Sequence, residues 1–252
     1  MKNPLITIVI ASYNSGKTIR RALQSVADQA FQDWECLIVD GASKDDTIDI
    51  VKVFAEKDSR FQYISEPDKG IYDAFNKGWK NARGEWMYYL GSDDSLTVDG
   101  LLNLSKECKN TDITTICGDV YVYNFDGRKS IIKGQDGKKG LGIHQGMLMR
   151  KNVIETMGGF DMSYKILADY DLMARMINKN YKFKVVESPP IACFTQGGMS
   201  SKFSSLMQWA KERYCINKKN KNIKYPFWDC LNILYHKLRS NTYRKIRQIT
   251  KI

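Results

Sequence analysis

Residues 87 to 94 read MYYLGSDD, a short apolar run that ends abruptly in two adjacent carboxylates. A run of this length, closed by glycine, serine and acids, is typical of a buried β-strand that ends at the carboxyl edge of a sheet. Ligands of open α/β sheets bind at this edge. Asp93 and Asp94 would repel one another there unless a cation or a hydrogen-bonding ligand lies between them. The competing interpretation is that Ser92, Asp93 or Asp94 caps a helix that runs through Leu101.

The segments around this stretch alternate between strand-like and helix-like patterns. Strands are expected at 5–10, 35–39, 61–65 and 86–90, and helices at 16–29, 46–57 and 71–82. This alternation predicts βαβ units, a parallel sheet and right-handed crossovers. Strand-like runs continue from 113 to 132, where Asn124–Gly127 is a hairpin signal. The expected elements that follow are strands at 147–150, 183–186 and 191–194, a helix at 167–178, and helical sequence from about 203 onward. The pattern therefore predicts an α/β fold with a mostly parallel central sheet flanked by helices.

Chain length and composition narrow the class of protein. A chain of 252 residues can bury a substantial core. Its six scattered cysteines, without a CxxC pair, predict reduced thiols in the cytoplasm. The first eleven residues turn polar too soon for a signal peptide, and no apolar run reaches 18 residues. We therefore expect neither secretion by that route nor a membrane-spanning helix.

The net charge of +11 is concentrated at the C-terminal end. Residues 218–252 hold ten basic residues and one acid, so the preceding chain is nearly neutral. This distribution argues against nucleic acid as a partner and predicts a main domain at 1–202 with a basic amphipathic helical extension at 203–252. Apolar residues recur along the tail at near-helical spacing, namely Phe227, Leu231, Leu234, Leu238, Ile246 and Ile249. Such a helix can lie on an anionic membrane surface, or it can pack on its own domain or on a partner.

The turn after the first strand permits a different interpretation. Ala11–Thr18, ASYNSGKT, fits a relaxed phosphate-loop pattern and stands between a strand and a helix. It would make the protein a P-loop NTPase. The bulk of Tyr13 and Asn14 in the middle of the turn speaks against this, because a phosphate cradle favours small residues. A simpler account is that Ser15 or Asn14 caps the helix.

Five segments in this order resemble those of one enzyme family. They are IVIASYN at 8–14, CLIVDGASKDDT at 36–47, SEPDKGIYDAFNKG at 65–78, GEWMYYLGSDD at 84–94 and ADYDL at 168–172. Together they resemble family 2 inverting glycosyltransferases of the GT-A fold, of the type that builds bacterial surface polysaccharides. The resemblance implies a nucleotide-diphosphate sugar as donor, with UDP as the expected nucleotide, and a glycan or lipid-linked hydroxyl as acceptor. It further implies a cytoplasmic enzyme that lies peripherally on the inner face of the cell membrane.

The resemblance assigns the donor-binding residues. Asp40 would contact uracil, and Tyr13 would flank the base unless it packs in the core. Four further residues would line the donor pocket, namely Asp68, Asp73, Asn76 and Lys77. The last three stand at i, i+3 and i+4 and share one helix face, for which a solvated polar surface is the alternative.

The acidic motif implies a divalent cation, Mn²⁺ or Mg²⁺, because such ions prefer carboxylate and phosphate oxygens. Asp93 and Asp94 match the family's motif, with Ser92 in place of its usual first acid. Asp94 would then be the main metal ligand, and Asp93 would reach the ribose or the metal through water. The cation would neutralise the charge that develops on the departing diphosphate.

Asp169 matches the family's general base, which would deprotonate the acceptor hydroxyl as it displaces the nucleotide. Its alternative is a helix cap, because it opens a helical run. His144 and Gln145 are either contacts of the metal or phosphate, or structural residues. Arg83 either pairs with the diphosphate or forms a surface salt bridge. A sugar nucleotidyltransferase lacks support, since no Gly-rich loop with arginine follows the first strand, and a carbohydrate-binding protein without activity stays open.

Overall fold

The computed structural model describes residues 3–124, 128–137, 141–195 and 205–220. The strands are β1 (Ile6–Ser12), β2 (Trp34–Asp40), β3 (Phe61–Ser65), β4 (Trp86–Gly91), β5 (Ser95–Leu96), β6 (Thr115–Cys117), β7 (Val120–Tyr123), β8 (Lys129–Ile132), β9 (Met147–Arg150), β10 (Phe183–Val185) and β11 (Ala192–Thr195). The helices are α1 (Ile19–Ala27), α2 (Thr47–Lys57), α3 (Ile71–Asn81), α4 (Gly100–Ser105), α5 (Lys151–Thr156), α6 (Ala168–Asn178) and α7 (Leu206–Lys219). A 3-10 turn, His144–Gly146, precedes β9.

The central sheet has seven strands in the order β10-β6-β9-β4-β1-β2-β3. Strands β1 to β4 run parallel, β9 runs antiparallel to β4 and β6, and β10 is parallel to β6. Nearly all of β1 and every residue of β2 and β4 before Gly91 are buried. Continuous apolar strands of this kind belong to sheets with both faces covered. The predicted α/β fold is confirmed.

The helices cover the sheet through apolar stripes. In α1 the buried residues are Ile19, Ala22, Leu23 and Val26, at the spacing of one helical face. They join a core cluster on one side of the sheet, while α3, α6 and α7 contribute to a cluster on the other side. Apolar side chains of the helices therefore cover both faces of the central sheet.

The carboxyl ends of the parallel strands are in register. Ser12 pairs with Asp40, Asp40 pairs with Ser65, and Ala11 pairs with Gly91. The competing interpretation, a helix cap at the end of β4, is wrong, because the chain continues into β5, and α4 begins only at Gly100. The acids that follow Gly91 therefore stand at the ligand edge.

A second, four-stranded sheet has the order β5-β11-β7-β8. The predicted hairpin is confirmed by the antiparallel pairing of β7 with β8, although residues 125–127 of its turn lie outside the described residues. The pairing of β11 with β5 joins the end of the domain to the segment after the acidic motif. This contact delivers Thr195 to the site.

Helix α7 packs on the main body. Trp209 and Ile216 are buried in the cluster that includes α6. Glu212 is also buried, and it accepts hydrogen bonds from the backbone N–H groups of the residues before α6, Lys165, Ile166 and Leu167 (2.8–3.0 Å). The domain boundary at 202/203 stays a prediction.

The tail that the charge pattern singled out, with Phe227, Leu231, Leu234, Leu238, Ile246 and Ile249, lies outside the described residues. Within the described part of the chain, no helix is both long and apolar enough to cross a lipid bilayer. The five cysteines of that part form no disulfide.

Gly78 provides a test of how α3 lies against β1. A Cβ at this position would stand 2.4 Å from Val9 Cγ1, in the middle of the strand. We expect Gly78→Ala to lower the free energy of unfolding by about 1–2 kcal/mol, because overpacking outweighs the gain in helix propensity. Thermal unfolding measures the change, with the exposed Lys80→Ala in the same helix as control. A Gly78→Ala protein as stable as the control would contradict this packing.

Candidate active site

Asp40 ties together the ends of three strands. It is fully buried, and its carboxylate accepts hydrogen bonds from Ser12 Oγ (3.1 Å), Ser65 Oγ (2.8 Å), the backbone N–H of Ser43 (2.9 Å) and the Ser43 hydroxyl. Each carboxylate oxygen thus accepts two hydrogen bonds. A nucleobase N–H that approached Asp40 would have to share or displace one of these donors.

The turn after β1 stands beside Asp40. Tyr13 is 62% exposed, so the alternative in which its ring packs in the core is wrong. Asn14 has a positive φ of 49° and is held by Ser43 Oγ at its N–H (2.8 Å) and by Lys44 N–H at its Oδ1 (2.8 Å). The ring of Tyr13 is therefore presented to solvent on a fixed turn.

The same turn excludes a phosphate loop. The backbone N–H of Ser15 donates to Thr47 Oγ1 (2.7 Å), and that of Gly16 donates to Asp45 Oδ2 (3.0 Å). A Cβ on Gly16 would lie 1.7 Å from Asp46 Oδ1, so carboxylates fill the space above the turn. A phosphate would meet two negative charges and amides that are already used. The P-loop interpretation of Ala11–Thr18 is wrong.

Neither Ser15 nor Asn14, the two residues that the sequence suggested, caps α1. The N-cap position belongs to Thr18. Ser15 Oγ instead lies 2.9 Å from Ser92 Oγ and joins the turn after β1 to the acidic motif.

Asp93 and Asp94 converge near Gly91. A Cβ at Gly91 would lie 2.5 Å from Asp94 Oδ2 and 3.0 Å from Asp93 Oδ1. Asp94 is 1% exposed and accepts hydrogen bonds from the Thr195 N–H (3.0 Å) and from Gln145 Nε2 (3.2 Å). Burial, reinforced by the negative charge of Asp93, raises the pKa of Asp94 to about 6 against the bonds from Thr195 and Gln145. The missing Cβ of Gly91 lets the two carboxylates approach each other.

This pair suits a cation that is shared with a ligand. In the described residues no three His, Cys, Asp or Glu side chains group closely enough to enclose a metal ion. Mg²⁺ and related ions nonetheless bind through one or two carboxylates when phosphates supply the other oxygens. Two carboxylates that converge over a glycine, one of them buried with hydrogen bonds from neutral donors only, fit that requirement.

Asp169 stands in the first turn of α6 and is held by three donors. Its Oδ1 accepts from Tyr72 Oη (3.0 Å) and from the Tyr170 N–H (2.8 Å), and its Oδ2 lies 2.7 Å from His144 Nδ1. Burial acts to raise the pKa of Asp169, but the hydrogen bond and charge of His144, with the other two donors, outweigh it and lower the pKa below its usual value. Asp169 is therefore a carboxylate at neutral pH. Since its carboxylate also binds Tyr72 and His144, which lie outside α6, Asp169 does more than cap a helix.

His144 has the opposite shift. Burial acts to lower the pKa of His144, but the hydrogen bond and charge of Asp169, together with the charge of Asp94, raise it above the usual value. Because a carboxylate only accepts, Nδ1 carries the proton of this hydrogen bond. The imidazole stands between two carboxylates that belong to different parts of the site.

The predicted face of α3 divides between two roles. Asp73 accepts the Lys69 N–H (3.0 Å), and Lys77 contacts Glu66 (2.8 Å) and the Pro67 carbonyl (2.9 Å). Both residues therefore brace the loop before α3. Asp68 lies in that loop, with Oδ2 2.7 Å from the position of a Cβ on Gly41, the residue after Asp40.

Asn76 does not help Asp73 and Lys77 to brace the loop before α3. It is buried, and its amide binds the main chain of Phe160 through Nδ2 to the carbonyl (2.8 Å) and Oδ1 from the N–H (2.9 Å). Oδ1 also accepts Trp79 Nε1 (2.9 Å). The expected donor contact of Asn76 is corrected to a structural one, since these bonds turn its amide into the core.

Arg83 forms a salt bridge, which is one of the two roles that the sequence left open for it. Arg83 pairs with Glu35 (2.6 Å), at the edge of the sheet where β2 begins, and so lies away from the acidic motif. Arg21, which the sequence did not single out, donates from Nη2 to the Asp93 carbonyl and to Thr195 Oγ1 (3.3 Å). No local pattern distinguishes Arg21 from any solvated arginine on α1.

Comparison with known proteins places this site in context. The sequence model of glycosyl transferase family 2 matches residues 7–170. Over 183 residues the chain is 32% identical to a "PGL/p-HBAD biosynthesis glycosyltransferase" of Mycobacterium tuberculosis, which covers 69% of this chain and 70% of that protein. The range matched by the family model includes Asp40, the acidic motif and Asp169.

Two solved structures have a similar fold at low sequence identity. S. aureus TarS 1–349 in complex with UDP-GlcNAc superposes with a TM-score of 0.68 at 19% identity, over 93% of this chain and 72% of that one. The mannosyltransferase PcManGT from Pyrobaculum calidifontis, in complex with GDP-Man and Mn²⁺, gives 0.65 at 17% identity, over 94% and 69%. The fold is thus that of GT-A transferases.

The burial of Asp94 predicts an effect on stability. Its pKa lies above the usual 3.8, so the stability cost of its charge grows as the pH rises toward about 6 and is complete above that pH. We expect Asp94→Asn to raise the free energy of unfolding at pH 7.5, in chelator, by about 2–3 kcal/mol. The amide can still accept the Thr195 N–H. Thermal unfolding at pH 7.5 and pH 4.5 tests this: the gain should shrink at pH 4.5, and a loss of stability at pH 7.5 would refute it.

Proposed function

Since the chain belongs to glycosyl transferase family 2, whose enzymes invert the anomeric carbon, we propose that it transfers a sugar from a UDP-linked donor to a hydroxyl group of a glycan or a lipid-linked acceptor. The reaction is a single displacement at the anomeric carbon. Three proteins named above support this proposal. The TarS structure is a complex with UDP-GlcNAc, the PcManGT structure is a complex with GDP-Man and Mn²⁺, and the mycobacterial relative is a glycosyltransferase of PGL/p-HBAD biosynthesis.

The observation that carries the proposal is the convergence of Asp94 and Asp169. Asp94 follows β4, and Asp169 opens α6, 75 residues later. Adjacent residues of one turn, His144 and Gln145, hydrogen-bond to Asp169 and Asp94, respectively. A proton acceptor and a carboxylate that suits a cation are thus close to each other, as a displacement between two substrates requires.

The donor would lie along the ends of β1, β2 and β4. Tyr13 would flank the base from its exposed turn, and Asp40 would reach the base by sharing one of its present hydrogen bonds. Asp68, next to Gly41, is placed to contact the nucleoside. Asp73 and Lys77 act on this pocket through the loop that they brace, and Arg21 stands beside Asp93 as a positive charge for the diphosphate.

Asp94, with Asp93, would hold Mn²⁺ or Mg²⁺. The cation, when bound, supplies Lewis-acid neutralisation of the charge on the departing diphosphate. Asp93 presents its carboxylate at the exposed side of the pair and would meet the ribose or the water around the metal.

Asp169 would accept the proton of the attacking hydroxyl. Of its four lone pairs three are directed to Tyr72, Tyr170 and His144, and among the described residues no donor occupies the fourth, on Oδ2. The acceptor oxygen attacks the anomeric carbon, the bond to the nucleotide breaks, and the proton passes to Oδ2. A base in this role contributes about 10²–10⁴-fold to the rate.

The experiment that tests the function is a donor screen. We expect UDP-sugars with Mn²⁺ to raise the melting temperature and to yield UDP on incubation, because a ligand of the folded state stabilises it. GDP-mannose is included as the alternative nucleotide sugar. Asp94→Asn should lose the Mn²⁺-dependent part of the shift. If no nucleotide sugar shifts the melting temperature or is turned over, the proposed function fails.

Asp169→Asn separates catalysis from binding. We expect the rate of UDP formation from the donor found in the screen to fall about 10²–10⁴-fold, while the shift of melting temperature by donor and Mn²⁺ is retained. Asp49→Asn, an exposed aspartate on α2, is the matched control. A rate close to that of the unmodified protein would remove Asp169 from the mechanism.

Lys17→Ala distinguishes the enzyme from an NTPase. Lys17 is exposed and follows a turn whose amides are already hydrogen-bonded. We expect sugar transfer to be unchanged and ATP hydrolysis to be absent from both proteins. ATP hydrolysis that depended on Lys17 would contradict the assignment of the turn.

A further inference from the structure

We propose that the His144–Gln145 turn is a positioning element that sets the separation between the proton-accepting carboxylate Asp169 and the donor-side carboxylate Asp94. The inference rests on the function proposed above. It assigns to two adjacent residues a task beyond either carboxylate, namely to fix the acceptor side of the site relative to the donor side.

The geometry of the turn is the first argument. His144 Nδ1 lies 2.7 Å from Asp169 Oδ2, while Gln145 Nε2 lies 3.2 Å from Asp94 Oδ2. Consecutive side chains thus bind the two carboxylates from one short piece of backbone. Because the two residues are neighbours in the chain, they limit how far the two carboxylates can move apart while both hydrogen bonds persist.

The turn is itself fixed to the central sheet. The Gly146 N–H donates to the Ile143 carbonyl (2.9 Å), and the Gly118 N–H donates to the Gly146 carbonyl (2.8 Å). The buried Tyr88 hydroxyl of β4 donates to the Gln145 carbonyl. A Cβ on Gly146 would lie 2.7 Å from the Gly118 carbonyl oxygen, so only glycine allows this approach. The His144–Gln145 turn is therefore anchored to β4 and to the loop after β6.

The imidazole of His144 is held in place by its packing. Its ring meets Phe75 of α3 edge-on, with centroids 5.9 Å apart, and its side chain is 16% exposed. The titratable groups that face it are Asp169 from α6, Tyr72 from α3 through Asp169, and Asp94 from the end of β4. The imidazole therefore faces carboxylates from both sides of the site.

A purely structural role leaves part of this arrangement unexplained. Asp169 already accepts its neighbour's N–H from Tyr170, and Asp94 already accepts the N–H of Thr195. Each carboxylate has therefore a backbone partner without the turn. What the turn adds is a defined direction for Oδ2 of both residues, the atoms on the side where donor and acceptor would meet.

The two residues should affect different kinetic constants. His144→Ala frees Asp169 Oδ2, so we expect kcat to fall about 10- to 100-fold with KM for the donor changed less than about threefold. Gln145→Ala frees Asp94 Oδ2, so we expect a higher KM for the donor and a higher Mn²⁺ concentration for half-maximal rate. His144→Asn is the matched control, since its Nδ2 stands where Nδ1 stood and restores the bond to Asp169.

The pH profile supplies a readout that loss of structure alone does not move. His144 lowers the pKa of Asp169, so removal of the imidazole raises that pKa, and the acid limb of kcat should move to higher pH in His144→Ala. The assay measures UDP released from UDP-GlcNAc, or from the donor that the unmodified protein turns over, with MnCl₂. Thermal unfolding of each variant reports its folded fraction.

The outcomes separate this inference from the proposed function. If the unmodified protein turns over no nucleotide sugar, the function fails and the inference with it. If it does, the inference is supported by the split between kcat and KM, the shifted acid limb and recovery of at least a third of kcat in His144→Asn. A His144→Ala protein with unchanged kcat, or one whose losses follow only its folded fraction, would overturn it.

Discussion

Asp40, Asp94 and Asp169 are carboxylates that the fold withdraws from water near one edge of the central sheet, and each depends on donors from several elements. Withdrawing a carboxylate from water is costly unless hydrogen bonds or opposite charge compensate. Asp40 is compensated by hydroxyls at the ends of β1 and β3, Asp169 by a hydroxyl, an amide and the imidazole of His144, and Asp94 by two neutral donors together with the longer-range influence of His144. The strand register and the 3-10 turn are the features that satisfy these groups.

The parts of this arrangement that could be predicted are local in sequence. The strand that ends in Asp93 and Asp94 is predictable because its burial makes it continuously apolar, and the same holds for β9, whose predicted bounds match the observed ones. The bounds of β3 are also predicted correctly, although most of its residues are exposed or half-buried. Helix spacing correctly put Asp73, Asn76 and Lys77 on neighbouring positions of α3. It carries no information on which neighbour each side chain meets. Asn76 binds Trp79, one turn later on the same helix, and Phe160, which is 84 residues away in the chain.

The parts that could not be predicted join distant segments. Thr195 reaches Asp94 across 101 residues because β11 pairs with β5, a two-residue strand without any sequence signature of its own. Glu212, on a helix assigned to an extension, binds three amides at the start of the segment that carries Asp169. The Tyr72 hydroxyl lies 2.6 Å from the Ile166 carbonyl of that segment as well as 3.0 Å from Asp169 Oδ1, so its single proton is shared between the two acceptors. The position of Asp169 thus depends on α3 and α7 together, which no single stretch of sequence reveals.

The opposite pKa shifts of Asp94 and Asp169 explain how one site can assign different tasks to two aspartates. Burial beside Asp93 raises the pKa of Asp94, so this carboxylate gains most from an added cation. The His144 hydrogen bond and charge overcome burial at Asp169 and lower its pKa, so this carboxylate is ionised without any added partner. When environments push two titratable groups apart in this way, their chemical roles separate as well. In the function proposed above, Asp94 would bind the cation, whereas Asp169, ionised before substrate arrives, would receive the proton of the acceptor hydroxyl during the attack. The neighbours of each carboxylate would therefore decide which of the two tasks it performs.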